Sequence, residues 1–313
     1  MTQDNNDWKR HPDLYLPDGT IVLLADTTVF RVYGGLLAKR SDVFQGLMES
    51  SQYLPADGEV YDGCPLVQLQ DDAKDVAHFL NATMGGQPMP YPIASAILRL
   101  SSKYMVQSLR QQAIRHFGRI IPPSYDELNK VEKYSQVFGT NPSDRPHPFQ
   151  LLSLFRECQL AWYLPWQYYV VCAYGIEELV EGAIMSNGKK IHLDAFDSQV
   201  AILGWNTLCT MSRNIRKLTI VSSAQKCQAK SPCNDTMRLV WMGQAAGPID
   251  SEALSQWDWL ASLTGKTITW RPCKACTQVW LMSERDARAA VWLKLPSIFK
   301  LPDWESLKRE EES

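Results

Sequence analysis

The chain has 313 residues, of which 45% are hydrophobic and 21% charged, with a formal net charge of -2. This composition is typical of a folded globular protein and excludes a mostly disordered chain. The near-neutral charge gives no global field that would attract nucleic acid or an acidic membrane. No stretch approaches the roughly 20 apolar residues that cross a bilayer, and the polar N-terminus lacks the apolar core of a signal peptide. We therefore expect a cytoplasmic or nuclear protein with reduced cysteines and no membrane partner.

The first region begins with strand patterns. Two runs of β-branched and apolar residues, at 20–25 and 28–33, flank Asp26-Thr27, and this arrangement predicts a hairpin. A Gly-Gly pair ends the second run. A further strand is predicted at 65–69, where apolar residues again predominate.

Helical patterns follow the strands. Ser41 is a predicted N-cap of a short helix whose apolar residues recur at i, i+1, i+4 and i+5. Asp71-Asp72 should cap another helix, and a single long helix is predicted at about 94–117. With strands first and helices clustered after them, the order predicts an α+β fold, a small sheet capped by a helical cluster. The predicted apolar face of the long helix consists of Leu98, Met105, Leu109 and Ala113.

Tryptophan is unevenly distributed along the chain. None occurs between Trp8 and Trp162, whereas ten lie from Trp162 to Trp304. Such a shift predicts two regions with different cores, and the proline pair at 122–123 marks the seam between them. The predicted organisation is a flexible N-terminus at 1–10, an α+β domain at 11–121, a mainly α-helical domain at 122–307 and an acidic tail at 308–313.

The second region is predicted to be mainly helical. Its helical spacings end or bend at Pro165, Gly204 and Pro296. An apolar, proline-bounded segment at 295–304 is expected to pack back onto its own domain rather than onto a partner. The predicted helices cover 125–137, 148–159, 162–182, 195–221, 251–264 and 283–295.

Four of the eight cysteines have the character of a metal site. Cys227-x5-Cys233 and Cys273-x2-Cys276 offer two pairs of soft ligands, and tetrahedral zinc takes four such ligands at about 2.3 Å. One zinc ion held by four thiolates would be structural, since no coordination position is left for a substrate. The alternatives are ordinary cysteine packing with an exposed CxxC, and a redox-active CxxC. The predicted buried core thiols are Cys158, Cys172 and Cys209.

The sequence carries no catalytic signature. It contains no HExxH, GxSxG, Walker or Rossmann motif, and its five histidines are scattered. We therefore expect a non-enzymatic protein without a small-molecule substrate.

A basic cluster surrounds the first cysteine pair. Such a cluster could contact phosphates beside a zinc site, and the alternative is a solvated helix face. The nearby aromatic residues follow an apolar pattern and are not interleaved with the basic ones, so nucleic acid is the less favoured partner. The cluster comprises Arg213, Arg216, Lys217, Lys226, Lys230 and Arg238.

Residues 27–50, TTVFRVYGGLLAKRSDVFQGLMES, together with DLYL at 13–16, have an unusually specific order of residue types. They resemble the signature of the BTB (POZ) domain, which runs from an Asp-apolar strand through Phe-x-x-His to Leu-Ala-x-x-Ser-x-x-Phe. Tyr33 takes the usual histidine position, and Gly34 stands where many members carry a basic residue. The matching positions are Asp13, Phe30, Leu37, Ala38, Ser41 and Phe44.

The resemblance extends along the chain. The whole sequence is similar to a large set of fungal BTB proteins with a long C-terminal region. These share a motif like DGCPLV at 62–67 and the motif Leu-Arg-Leu-x-x-Lys-Tyr, found here at 98–104. Members often end in paired cysteines followed by a motif like WLKLPSIFKLPDW, found here at 292–304.

The resemblance implies a protein-interaction module that forms a homodimer. The implied role is a scaffold or adaptor for an unknown protein client, and a cullin ubiquitin-ligase adaptor is one version of it. The alternative function is a nuclear regulator whose zinc-bearing basic region contacts DNA. The alternative to the dimer is a monomer in which these apolar residues are all core. The implied dimer interface comprises Asp13, Leu14, Leu16, Val43, Phe44, Leu47 and Met48.

Overall fold

The computed structural model describes residues 7–49, 59–84, 89–223 and 273–312, together with Cys227, Cys233 and Leu254. Strands lie near the N-terminus and helices follow them, so the predicted mixed α+β class is confirmed. The chain divides into two compact units. The first comprises Met1–Pro122 and Lys130–Pro146, and the second comprises Pro123–Asn129 and His147–Ser313.

A five-stranded sheet opens the first unit. It consists of β1 (Lys9–Tyr15), β2 (Ile21–Ala25), β3 (Thr28–Val32), β4 (Val60–Tyr61) and β5 (Cys64–Leu69), in the order β1-β3-β2-β5-β4. The β2–β3 and β4–β5 pairs are antiparallel, whereas β1 runs parallel to β3 and β5 parallel to β2. The predicted hairpin and third strand are therefore confirmed. All five residues of the central strand β2 are buried, so the core of this unit forms around it.

Two-residue loops connect the antiparallel strands. The loop between β4 and β5 is Asp62-Gly63, whose φ angles of 51° and 75° lie in the left-handed region. Asp-Gly is favoured in such loops because aspartate tolerates this region and glycine meets no Cβ clash there. The turn gives a physical reason for the sequence DGC at this point.

The sheet is curled, so that its two edges approach each other. Asp62, in the turn after β4, accepts hydrogen bonds from Arg10 at 2.6 Å and from Tyr15 at 2.7 Å, both on the edge strand β1. Trp8, Tyr15 and Tyr61 pack against an apolar cluster formed by β2, β3 and β5. These aromatic side chains cover one face of the sheet.

Two short helices follow the hairpin and three longer ones follow β5. Their bounds are α1 (Gly34–Arg40), α2 (Asp42–Glu49), α3 (Ala73–Met84), α4 (Tyr91–Lys103) and α5 (Gln107–Gly118).

Both predicted N-caps of the first unit are confirmed. The hydroxyl of Ser41 accepts the backbone N–H of Phe44 at 3.1 Å, at the start of α2. One carboxylate oxygen of Asp72 accepts the backbone N–H groups of Lys74 at 2.8 Å and Asp75 at 3.3 Å. Each cap satisfies N–H groups that have no partner inside the helix.

The single helix predicted at 94–117 is wrong, because α4 and α5 are separate helices. Met105 lies between them with φ 53°, and its side chain is 53% exposed instead of facing the core. Tyr104 fixes the break: its hydroxyl donates to Asp71 at 2.5 Å, and its ring stacks on Phe44 with centroids 4.8 Å apart. These tertiary contacts override the helical periodicity.

The segment after the proline pair is also broken where one helix was predicted. A 3₁₀-helix at Tyr125–Lys130 and a short α6 (Tyr134–Val137) replace the helix predicted at 125–137. Between them, the backbone N–H of Glu132 donates to the carbonyl of Arg119 at 3.0 Å, and its carboxylate binds the Arg119 guanidinium at 2.6 Å. Glu132 therefore bonds across the unit instead of continuing a helix.

Helices predominate in the second unit. The helices predicted at 148–159 and 195–221 are confirmed, and the one predicted at 251–264 lies outside the described residues. Within the described ranges, no helix combines the length and apolar character needed to cross a membrane. The elements are α7 (Pro148–Glu157), α8 (Leu164–Cys172), α9 (Ile176–Glu181), the ribbon of β6 (Ala183–Ile184) and β7 (Lys190–Ile191), α10 (Ala195–Ser223), α11 (Lys274–Ile298) and α12 (Trp304–Glu312).

Two predicted helices of this unit have different bounds. The helix predicted at 162–182 is divided into α8 and α9, because Gly175 adopts φ 90° before α9 begins. Pro165 lies in the first turn of α8, where its missing N–H costs no hydrogen bond. Helix α11 extends beyond the predicted range 283–295 at both ends, and it passes Pro296 before ending at Ile298.

Gly204 lies inside α10, so the helix does not end there. A Cβ atom on Gly204 would lie 2.2 Å from Cε1 of Phe299, so the glycine allows the chain after α11 to pack closely on α10. Phe299 is 1% exposed and stacks on Tyr168 with centroids 5.0 Å apart. Trp304 donates its indole N–H to the carbonyl of Trp292 at 3.0 Å. The segment at 295–304 therefore packs back onto its own unit, as predicted.

Candidate metal centre

Four cysteine thiols converge in the second unit. The Sγ atoms of Cys227, Cys233, Cys273 and Cys276 all lie within 4.8 Å of one another. The two cysteine pairs singled out in the sequence therefore meet in space, although a long stretch of chain separates them.

Helices α10 and α11 position the two pairs. Helix α10 leads towards the first pair, and Cys273 is the N-cap of α11, with Cys276 in the first turn of that helix. The two helices pack against each other. The backbone N–H of Cys273 donates to Sγ of Cys233 at 3.4 Å. This hydrogen bond links the pairs directly.

The spacing of the four sulfur atoms suits a single metal ion. Zinc with four Zn–S bonds of about 2.3 Å in tetrahedral geometry places its sulfur atoms about 3.8 Å apart, so a group lying within 4.8 Å needs only a small contraction. An iron–sulfur cluster distributes its cysteine ligands over more than one iron and needs a wider set. Thiolates are soft ligands, which favours zinc over harder cations such as calcium or magnesium.

The two members of each pair differ in accessibility. Cys233 is 2% exposed and Cys276 is 0% exposed, whereas Cys227 and Cys273 are half-buried. Burial raises the pKa of both Cys233 and Cys276, and hydrogen bonding with neighbouring thiols raises the pKa of Cys276 further. Without a cation these two thiols are protonated at neutral pH, and a bound metal would release their protons.

Three further cysteines of the second unit are separate from this cluster. Cys158, Cys172 and Cys209 are buried, as predicted for core thiols. The Cys172 thiol donates to the carbonyl of Ala201 at 3.4 Å, and burial raises the pKa of Cys172. These three thiols are therefore built for packing rather than for ligation.

The residues of the predicted dimer interface divide into core and surface. Leu14 and Phe44 are each 1% exposed, so their side chains belong to the core of the first unit. Asp13 is exposed. Self-association stays a prediction, for which the following side chains remain partly accessible: Leu16, Val43, Leu47 and Met48.

The basic cluster is only partly described by the structure. Arg213 is exposed on α10. Arg216 and Lys217 follow in the same helix, but their side chains are outside the description. Lys226, Lys230 and Arg238 lie outside the described residues.

Sequence reasoning missed a polar network in the core of the second unit. Asp197 is buried, forms an ion pair with Arg156 at 2.6 Å and accepts a hydrogen bond from the hydroxyl of Tyr168. That hydroxyl in turn accepts a hydrogen bond from Arg156. The three residues come from α7, α8 and α10, so no local pattern joins them. The sequence holds one weak indication of where Asp197 lies. Asp194 caps α10 by accepting the backbone N–H of Asp197 at 2.7 Å, which places Asp197 in the first turn of that helix.

Sequence reasoning also missed a groove in the first unit. It has a volume of about 250 Å³ and lies among α3, α4 and α5. Apolar side chains and neutral amides form most of the described lining, with one imidazole and without a carboxylate or thiol. The lining residues are His78, Asn81, Ala82, Met89, Ile93, Ile97 and Gln112.

The chain was compared with known protein families, curated proteins and solved structures. No family model, no curated protein and no solved structure matches it.

Proposed function

We propose that this chain is a non-enzymatic protein-interaction protein, with a self-associating first unit and a helical second unit held by one structural zinc ion. The observation that carries the proposal is the convergence of the four cysteines within 4.8 Å. Four thiolates complete the tetrahedral coordination of zinc and leave no position for a substrate. The ion would therefore tie α10 to α11 rather than perform chemistry.

Metal analysis of the full-length protein tests the zinc site. We expect one zinc ion per chain after purification without chelators. Cys276→Ser removes a buried ligand and should abolish stoichiometric zinc, whereas Cys158→Ser, at a buried cysteine outside the cluster, should retain it. An unmodified protein without stoichiometric zinc would refute this part of the proposal.

Resemblance to the BTB domain supports self-association of the first unit. The hairpin, the short helix pair, the strand β5 and the later helices follow each other in the order that the resemblance implies. Val43, Leu47 and Met48 of α2 are half-buried apolar side chains that a partner could cover. Obligate dimers of this kind bury on the order of 2,000 Å² or more.

Solution mass of the full-length protein tests self-association. We expect twice the chain mass of 35.6 kDa. Leu47→Asp should shift the protein to the mass of one chain, since a carboxylate in an apolar interface loses its hydration. Gln45→Ala, at an exposed position of the same helix, should leave the dimer intact. An unmodified protein with the mass of one chain at high micromolar concentration would exclude the dimer.

The salt dependence of binding distinguishes the two proposed classes of partner, a cullin and DNA. An adaptor for a cullin should retain that protein through purification at high salt. DNA binding through the basic cluster would weaken steeply as salt rises, because phosphate contacts release counterions. Cullin retention at high salt supports the adaptor, and salt-sensitive DNA retention supports the nuclear regulator.

A further inference from the structure

Cys273 and Cys276 form a CxxC at the beginning of a long helix. Cys273 is the N-cap of α11 and is half-buried, whereas Cys276 follows in the first turn and is 0% exposed. The pair thus combines an accessible sulfur atom with a shielded one three residues later.

We propose that Cys273 is a site of oxidation by hydrogen peroxide, and that the reaction ends in a Cys273–Cys276 disulfide with release of zinc. This inference rests on the proposed zinc site and adds a chemical modification to it. The same sulfur atoms that bind the metal are then the atoms that react, so metal binding and oxidation exclude each other.

Geometry favours this pair over Cys227 and Cys233. Residues three apart at the start of an α-helix have Cα atoms about 5 Å apart, and a disulfide accepts Cα separations of about 4.4–6.8 Å. The sulfur atoms of all four cysteines lie within 4.8 Å of one another, but only Cys273 and Cys276 have the spacing of a CxxC pair. In the other pair, Sγ of Cys233 accepts the backbone N–H of Cys273. A sulfur lone pair that is engaged in a hydrogen bond is less able to attack hydrogen peroxide.

The reaction balances in two steps. The Cys273 thiolate attacks one oxygen of hydrogen peroxide, so that an S–O bond forms, the O–O bond breaks and hydroxide leaves. The Cys276 thiolate then attacks the sulfur of the resulting sulfenic acid, so that the S–S bond forms, the S–O bond breaks and a second hydroxide leaves. Two electrons pass from the two thiolates to the peroxide, and two protons from solvent convert both hydroxides to water. Zinc loses two of its four ligands and dissociates.

The experiment uses full-length zinc-loaded protein, freed of reductant and treated with hydrogen peroxide. Zinc content is measured first, and metal release is then followed with a chromogenic chelator. Remaining thiols are alkylated before trypsin digestion and mass spectrometry. Cleavage after Lys226, Lys230 and Lys274 separates all four cysteines of the cluster, so each possible disulfide joins a different pair of peptides.

We expect zinc release together with a disulfide between peptides 267–274 and 275–285, reversed by a phosphine reductant and added zinc. The buried Cys172 and Cys209 serve as internal controls and should react at least about tenfold more slowly. Retention of zinc under peroxide, or a disulfide between peptides 227–230 and 231–238 instead, would overturn this inference while the zinc site stands. A protein without zinc before peroxide is added would overturn the zinc site itself, and with it the release.

Discussion

Carboxylates tie together parts of this chain that are distant in sequence. Asp71 accepts the hydroxyl of Tyr104 and binds Lys103 at 2.6 Å, which fixes the end of α4 to the chain before α3. Asp197 joins α7, α8 and α10 in the same manner through Arg156 and Tyr168. Because a buried carboxylate without partners is costly, removing one partner should cost more than the bond itself.

Tyr168→Phe tests the buried network of the second unit. The ring would still stack on Phe299, but Asp197 would lose a hydrogen-bond donor in a site without access to water. We expect the free energy of unfolding to fall by about 1–3 kcal/mol, measured by urea denaturation.

Tyr15→Phe is the matched control. Its hydroxyl also donates to a carboxylate, Asp62 at 2.7 Å, but in an exposed position. The loss there should stay below about 1 kcal/mol, since water replaces the missing partner. Equal losses for the two variants would argue against a stabilising role for the buried network.

His147 caps α7 only while its ring is neutral. Nδ1 of His147 accepts the backbone N–H of Phe149 at 3.2 Å, and burial lowers the pKa of His147 from its ordinary value of 6.5. The unfolded chain therefore binds a proton more readily than the folded chain. Stability from this residue is complete above about pH 6.5 and is lost as pH falls below that value towards the lower folded pKa. Unfolding in urea between about pH 7.5 and pH 5.5 should show this loss.

The variant His147→Asn isolates the contribution of His147 to the pH dependence of stability from that of the other titrating residues. Asparagine can accept the same backbone N–H but does not titrate, so the fall in stability with pH should become smaller. It should not vanish, since burial also lowers the pKa of His116. An unchanged pH dependence in His147→Asn would show that its cap does not titrate.

At the scale of elements, two helical glycines should respond to alanine with opposite signs. Gly204→Ala brings a Cβ to within 2.2 Å of the Phe299 ring, which is itself buried, so we expect a loss of about 1–3 kcal/mol. Gly46→Ala on α2 meets nothing within 4 Å and should gain about 0.5–1 kcal/mol from reduced backbone entropy. Denaturant midpoints of both variants measure the difference. A Gly204→Ala protein as stable as Gly46→Ala would mean that α10 and Phe299 are not in close contact.

The sequence patterns failed to predict the positions at which two helices break. Periodicity continues through Met105 and through Glu132, yet the chain leaves the helix at both. The causes are contacts with residues far along the chain, Asp71 in one case and Arg119 in the other. Local patterns contain no information about such partners. Caps at Ser41 and Asp72 were predictable because their acceptors lie within three residues of the N–H groups they bind.

At the scale of the whole molecule, removal of zinc should lower thermal stability. A ligand present at a thousandfold its Kd contributes about 4 kcal/mol, which corresponds to about 8–16 °C in Tm for a unit of this size. We therefore expect a chelator to lower the Tm by about that amount and added zinc to restore it. Differential scanning calorimetry measures both.

Cys276→Ser controls for other effects of the chelator. This variant should melt at the lower temperature in either condition, since it lacks a ligand. A chelator-dependent Tm in this variant, or an unchanged Tm in the unmodified protein, would contradict the role of the metal.

The mixed α+β class and the candidate metal ligands were accessible from sequence. The class followed from strand patterns placed before helical ones, and the ligands from residue type and from the short spacing of Cys273 and Cys276. The meeting of the two pairs was not predictable in detail. It depends on the packing of α10 against α11 and the chain beyond it, to which Gly204 and Phe299 contribute. Gly204 was predicted to bend or end its helix, because the contact with Phe299 that explains the glycine is tertiary and leaves no local pattern in the sequence.

The hydrogen bond from the backbone N–H of Cys273 to Sγ of Cys233 has a consequence for the sequence between these two residues. With a metal ion bound by the four cysteines, the two ends of that stretch are held next to each other. The connection through the metal is far shorter than the connection along the backbone. A single cut within that stretch should then leave the two cysteine pairs together, because the metal ion joins them independently of the backbone.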